Sequence, residues 1–430
     1  MENGTFTVVR SPEDTAKQYQ AYLRKYENDD KLVILQAVDR PGSKPGDNYT
    51  SMLIRTKLVG TRGDGSPYAK TFMTKIIGDK KLATLLDLSD LFRIEADAYK
   101  KILPMLGPFG PPCIYADQDI IIMEDLAEKG YATCERRNFL GLDHSIFALK
   151  RLAKLHASGL SIKINNPRQF DKLNMHLEEI IYKDNSDTSL MRRCTEMCVK
   201  SIIQYLGMIE PRTQELQIVR DYFVCLNKTY DVLRQQFMSP KQKYDTICHG
   251  DPWINNLLFL HDNDGKIIDL KMVDYQIIRY TSLSTDILYF IYSSVQSSLI
   301  EKSFESLIKI YHNEFINELC RLHVDEKILA ELGIEWLQTE LRTYALYGLL
   351  VGCFLANPIL AEEKDVQQFE AIDFGPMNPM YQGDINSEMN QKKVDRIQRI
   401  AFHYHRRFNL GIINDDIEPI PVIEDSIKIA

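Results

Sequence analysis

The chain has 430 residues and a formal net charge of −8, a length that exceeds one small core and fits two lobes. Its 44% hydrophobic and 26% charged residues are those of an ordinary globular protein, and the negative balance speaks against a nucleic-acid surface. Met1 to Thr15 lacks the apolar stretch of a secretory signal, and eight cysteines without disulfide or zinc spacing point to a reducing, cytoplasmic setting.

Residues 11–30 place Tyr19, Tyr22, Leu23 and Tyr26 on one side of an amphipathic helix. Residues 32–38 read as a strand, and Pro41, Gly42, Pro45 and Gly46 make 40–48 a loop. Strands are expected over 50–59 and 71–77 around a turn at 60–67, then a helix over 90–103 stopped by Pro104. After the Pro/Gly-rich connection 104–112 comes an apolar strand, 120–123. The lobe boundary is drawn there: 1–125 as the β-rich lobe with its leading helix, 126–430 as a mainly helical lobe. Helices are expected over 144–157, 176–182, 188–207 and 213–237, and again from 285 to 402. The run from Tyr344 to Leu355 is too short to span a bilayer and reads as a buried core helix. From Asn414 onward the chain is an acidic, loop-like tail.

Between those helical stretches lies a β-hairpin pattern. Residues 246–248 end a β-stretch, Leu257 to Leu260 form an apolar run, Asn263-Asp264-Gly265 offers a tight turn, and 267–273 is β-like again. The loop entering it is His249-Gly250-Asp251-Pro252-Trp253-Ile254-Asn255-Asn256. Asp251 and Asn256 have the spacing of a kinase catalytic loop, in which the Asp accepts a hydroxyl proton and the Asn holds magnesium. Taken alone, such a pair equally suits a turn or a helix cap. The hairpin, however, returns Asp274 beside Asn256, and two converging oxygen ligands suit Mg²⁺, which keeps its other positions for phosphate and water. No activation segment follows Asp274, so a protein substrate is not expected.

Lys75, inside the apolar strand Phe72 to Ile77, needs a partner to be buried. Glu95 on the following helix is the choice. Lys70 and Lys57 compete with Lys75, and Asp97, on another helix face, competes with Glu95. Gly42 to Ser51 is a candidate phosphate flap, although Pro45 removes a donor from it.

Pro45-Gly46-Asp47-Asn48-Tyr49-Thr50-Ser51, Glu95 with Tyr99 and Ile102-Leu103-Pro104, Met123-Glu124-Asp125-Leu126, and Leu152 to Ala157 follow in order. With Cys248 to Asn256 and Val273-Asp274-Tyr275-Gln276 they resemble the ecdysteroid kinase-like family of insects over residues 30–410. That family is similar to choline kinases and aminoglycoside phosphotransferases. The resemblance implies an α+β, two-lobed protein-kinase-like fold and ATP- and Mg²⁺-dependent phosphorylation of a small-molecule alcohol, ecdysteroids being the founding class. Carried over by position, Asp251 is the base, Asn256 and Asp274 are the metal ligands, Lys75 contacts the ATP phosphates and Glu95 orients it. Gly46, Asn48, Tyr49 and Ser51 form the flap, and Met123, Glu124, Asp125 and Leu126 form the hinge beside adenine. Asp286 matches an acidic position read as support for the loop. Trp253, Tyr289, Tyr344 and Tyr347 are candidate acceptor contacts. Gln276 departs from the acidic residue of choline kinases and lowers the case for a quaternary ammonium substrate. The remaining rivals are a choline, ethanolamine or sugar kinase, and a pseudokinase-like protein that binds a hydrophobic ligand.

Overall fold

The computed structural model describes residues 12–42, 51–77, 88–187, 189–209, 212–361 and 388–411. They belong to two compact units, Met1–Ala132 and Thr133–Ala430. The first is built on a five-stranded antiparallel sheet and the second is mainly helical, so the fold class is α+β.

In the first unit, α1 (Pro12–Tyr26) has Glu13 and Asp14 in its first turn and Arg24 and Lys25 in its last, the arrangement that complements the helix dipole. Its Tyr19 and Leu23 are buried against the sheet formed by β1 (Val33–Pro41), β2 (Ser51–Thr61), β3 (Pro67–Ile77), β4 (Cys113–Ala116) and β5 (Ile120–Glu124). The strand order is β1-β2-β3-β5-β4. Phe72 packs in the α1 cluster, and the Tyr19 hydroxyl reaches Thr74. Side chains alternate along a strand, so Lys75 must leave by the opposite face. That face meets α2 (Leu88–Asp97), which carries Glu95. A π-helical turn, Ala98–Ile102, and a short helix, Leu103–Leu106, prolong α2. Pro104 therefore does not stop the helix as the sequence suggests. It enters near the start of a new helix, where its missing N–H costs nothing, and the chain turns at Gly107 (φ 132°).

In the second unit, α3 (Leu142–Asn165) is followed by α4 (Pro167–Asn174), α5 (Leu190–Leu206), α6 (Gln214–Cys225) and α7 (Thr229–Met238). Two expectations change here. No helix covers His176 to Tyr182, because the Glu179 side chain turns back on its own backbone and accepts from the amides of Ile181 and Tyr182. Residues 213–237 form two helices, broken where Lys228 takes φ 49°. β6 (Thr246–Cys248) pairs with β9 (Arg279–Thr281), and β7 (Leu257–His261) pairs with β8 (Ile267–Met272).

The remaining helices are α8 (Ser284–Ser294), α9 (Ser297–Arg321), α10 (Glu326–Glu331), α11 (Ile334–Leu360) and α12 (Glu388–Tyr404). By length and composition α11 is enough to cross a membrane, so the expected short core helix is longer than its apolar run; 72% of its most apolar window is buried within the protein. Two glycines on α11 let α8 come close. A Cβ on Gly348 would lie 2.5 Å from Leu288 Cβ, and one on Gly352 would lie 2.8 Å from the Tyr292 Cβ and carbonyl oxygen. Because the obstruction at Gly352 includes backbone, it cannot swing aside. Gly352→Val is expected to cost about 1–3 kcal/mol through overpacking, seen as a lower urea midpoint at unchanged m-value.

Candidate active site

The site in the second unit is a loop held by one buried carboxylate. Asp286, on the first turn of α8, accepts from the backbone N–H of His249 at 2.7 Å and of Gly250 at 2.9 Å. His156 of α3 meets the same carboxylate through Nε2 at 3.0 Å, and its Nδ1 lies 2.6 Å from the Tyr311 hydroxyl. Burial opposes ionisation of Asp286, but His156, His249 and the Gly250 amide together hold it below the usual carboxylate range. Cys248 Sγ lies beside His156 and Asp286, a grouping close enough to hold a metal. The acid and imidazole are already committed to one another and to the loop, so the group reads as a brace.

Gly250 has φ 88°, and a Cβ there would fall 2.0 Å from the Ile277 carbonyl oxygen. This is the reason for Gly250 after His249: both its backbone conformation and its space exclude a side chain. His249 ties the loop to the far end of the hairpin. Its Nδ1 accepts from the Asp251 amide at 3.2 Å and its Nε2 contacts the Val273 carbonyl at 3.1 Å, which fits the neutral Nε2–H tautomer. Burial lowers its pKa and favours that neutral form.

β7 and β8 pair Leu257 with Met272, and the Val273 amide donates to the Asn256 carbonyl at 3.1 Å. The hairpin therefore brings Asp274 back beside Asn256. Asp274 has φ 66°, a left-handed conformation that Asp tolerates better than most residues and that marks a position fixed by its surroundings. Asn256 Nδ2 donates to the Asp251 carbonyl at 2.9 Å and to Asp251 Oδ2 at 3.1 Å, which leaves the amide oxygen for another partner. The Tyr289 hydroxyl donates to Asp251 Oδ1. Burial first, and the neighbouring Asp274 carboxylate second, push the Asp251 carboxyl up from the usual range, against the pull of the Tyr289 and Asn256 hydrogen bonds. This donor set fits a divalent magnesium ion: hard oxygen atoms, few of them, and two carboxylates whose repulsion a cation relieves.

The first unit holds the other candidates. Lys75 Nζ donates to Glu95 Oε2 at 2.6 Å, with side chains 5% and 1% exposed. Asp97, the rival acid, pairs with Lys101 at 2.7 Å instead, and Lys70 pairs with Glu27 at 2.6 Å. Met123 and Glu124 close β5 opposite Met73 and Phe72 of β3. Asp125 accepts from Arg55 Nε at 2.6 Å and caps the 3-10 turn Leu126–Lys129 through the Ala127 amide. Gly46, Asn48 and Tyr49 lie outside the described residues, and of Ser51 the structure describes only the backbone at the start of β2.

Of the aromatic candidates, Tyr289, Tyr344 and Tyr347 join one buried cluster. Tyr289 and Tyr347 have centroids 6.4 Å apart, while Tyr347 and Tyr344 lie 5.0 and 6.1 Å from Phe237, which stacks on Tyr182 at 4.6 Å. Trp253 is buried in the His249–Asn256 loop and is not among the ring contacts of that cluster. Phe237, Tyr182 and the Arg279–Glu179 pair were not singled out from the sequence. They come from a helix, a loop and a strand whose meeting no local pattern announces.

The order Lys, Glu, Asp-x-x-x-x-Asn, Asp on these elements is the kinase arrangement, and the family model for the ecdysteroid kinase-like family matches residues 45–324. The chain belongs to the ecdysteroid kinase-like family. Membership supports kinase activity toward a small molecule, and implies use of ATP. No curated protein matches the chain. Among solved structures, the macrolide 2'-phosphotransferase MphH from Brachybacterium faecium is 10% identical, with a TM-score of 0.35, over 85% of this chain and 100% of its own. An aminoglycoside phosphotransferase from Alicyclobacillus acidocaldarius is 9% identical, with a TM-score of 0.32, over 82% of this chain and 90% of its own. Likenesses this distant do not bear on the chemistry of this family member.

Asp286→Ala leaves two loop amides and His156 without their buried acceptor. It is expected to cost about 3–5 kcal/mol in urea unfolding, with turnover lost in whatever fraction remains folded.

Proposed function

We propose that this protein transfers the γ-phosphoryl group of ATP to a hydroxyl of a hydrophobic small molecule of the ecdysteroid class. The observation that supports it most is the meeting of Asp251, Asn256 and Asp274 at the base of one hairpin. In this reading Asp251 accepts the proton of the attacking alcohol, whose oxygen bonds to phosphorus as the bond to the ADP oxygen breaks. Asn256 and Asp274 hold magnesium, which when bound neutralises charge on the phosphates. Lys75, held by Glu95, contacts the phosphates, and Met123 to Leu126 serve as the hinge beside adenine. The flap is assigned to Gly46, Asn48, Tyr49 and Ser51.

The acceptor class rests on the aromatic cluster beside the base. Arg279 lies 5.0 Å over the Phe237 ring and pairs with Glu179 at 3.3 Å. A cation already covers one face of Phe237, so that ring is less open to a quaternary ammonium group, which favours a neutral alcohol over choline. Acceptor contacts are assigned to Tyr347, Tyr344 and Trp253; the Tyr289 hydroxyl is engaged by Asp251. All eight cysteines are free thiols, which supports a reducing, cytoplasmic setting for the reaction.

The test is ADP release with Mg-ATP and a panel of ecdysteroids, other steroid and phenolic alcohols, choline and sugars. Turnover on a steroid alcohol and silence on choline are expected; the reverse overturns the acceptor assignment. Asp251→Asn is expected to lower kcat by at least about a thousandfold while calorimetry finds Mg-ATP bound as tightly as by wild type. Asp274→Ala should instead weaken Mg-ATP binding by tenfold or more, on the order of one lost charge-assisted contact.

A further inference from the structure

One helical turn of α8 makes two different contacts with the catalytic loop. Asp286 binds the backbone of the loop at His249 and Gly250, and Tyr289, three residues on and therefore on the same face, binds the side chain of Asp251. Asn256 takes the other carboxylate oxygen of Asp251. With donors on Oδ1 and Oδ2 from two separate elements, the carboxylate plane cannot rotate about its χ2 torsion without breaking one of them. An ionised carboxylate has about four acceptor positions, so a substrate hydroxyl can still share it. The Tyr289 ring is itself fixed, buried in the wall of Tyr347 and Phe237.

We propose that Tyr289 is a positioning residue of the phosphoryl transfer, its phenol orienting the Asp251 carboxylate toward the acceptor hydroxyl. This role rests on the kinase reading of Asp251. The alternative is a packing residue whose hydroxyl merely finds a nearby acceptor. The two differ in what removal of a single oxygen does: packing survives it and orientation does not. The loss acts through Asp251 and should vanish where Asp251 can no longer work as a base.

The experiment is a double-mutant cycle of Tyr289→Phe and Asp251→Asn, on whichever acceptor the wild type turns over. Tyr289→Phe is expected to lower kcat about ten- to a hundredfold, the range of one hydrogen bond to a charged group. The KM values for ATP and acceptor should stay within about threefold. In the Asp251→Asn background the same change should have no further effect. An unchanged kcat, a loss confined to KM, or a loss that persists in the Asp251→Asn background overturns the proposal.

A wild type silent on every acceptor would instead remove the kinase reading and leave the contact to be read directly. The tyrosine doublet in ultraviolet resonance Raman spectra reports how strongly a phenol donates. Loss of one strongly donating tyrosine on Tyr289→Phe in the wild-type background, and no such loss in the Asp251→Asn background, supports orientation of the carboxylate by the phenol. Identical spectra overturn it.

Discussion

The Asp286 carboxylate is the constraint on which the His249–Asn256 loop depends. It is buried, and it accepts from two consecutive backbone amides of the loop while meeting His156 from another helix. An unpaired charge in such a place would be prohibitive, so the acid, the imidazole and the loop amides form only together. Everything the loop carries is then referenced to α8. The position of α8 is in turn set by α11, whose Gly348 and Gly352 let the two backbones approach.

A second constraint is electrostatic. Asp251 is buried and Asp274 is its half-buried neighbour; burial first, and the Asp274 charge second, raise the carboxyl of Asp251. A fold optimised for stability alone would not keep two such acids together. The arrangement costs free energy that a cation held between the two acids would relieve. The Lys75–Glu95 pair in the first unit follows the same logic. A buried ion pair adds little to stability once desolvation is counted, but it fixes the position of the lysine amine where an apolar pair could not.

Much of this was legible in the sequence because its signals are local. The Asp251–Asn256 spacing, the turn at Asn263-Asp264-Gly265 and the apolar runs flanking it describe one hairpin within about thirty residues, and Lys75 inside an apolar strand calls for a partner acid. What was not legible came from distant segments. The stretch His176 to Tyr182 looks helical until Glu179 is seen to bond its own backbone and Arg279. The helix over 213–237 looks continuous until Lys228 takes a left-handed turn. Pro104 reads as a stop and is in fact the opening of the next helix.

The sequence by itself determined the chemical inventory: the Asp251–Asn256 pair, the second acid Asp274, a buried lysine and its partner acid, most of them at spacings that local hydrogen bonding and strand pairing enforce. Tertiary structure alone decided what those groups face. That Gly250 must lack a side chain because Ile277 closes on it, that Tyr289 bonds Asp251 while Tyr344 and Tyr347 line the wall around Phe237, and that Arg279 sits over that wall are all contacts between residues far apart in the chain. Such contacts depend on how whole elements pack. Packing is fixed by the sum of many weak, non-directional interactions rather than by any one spacing.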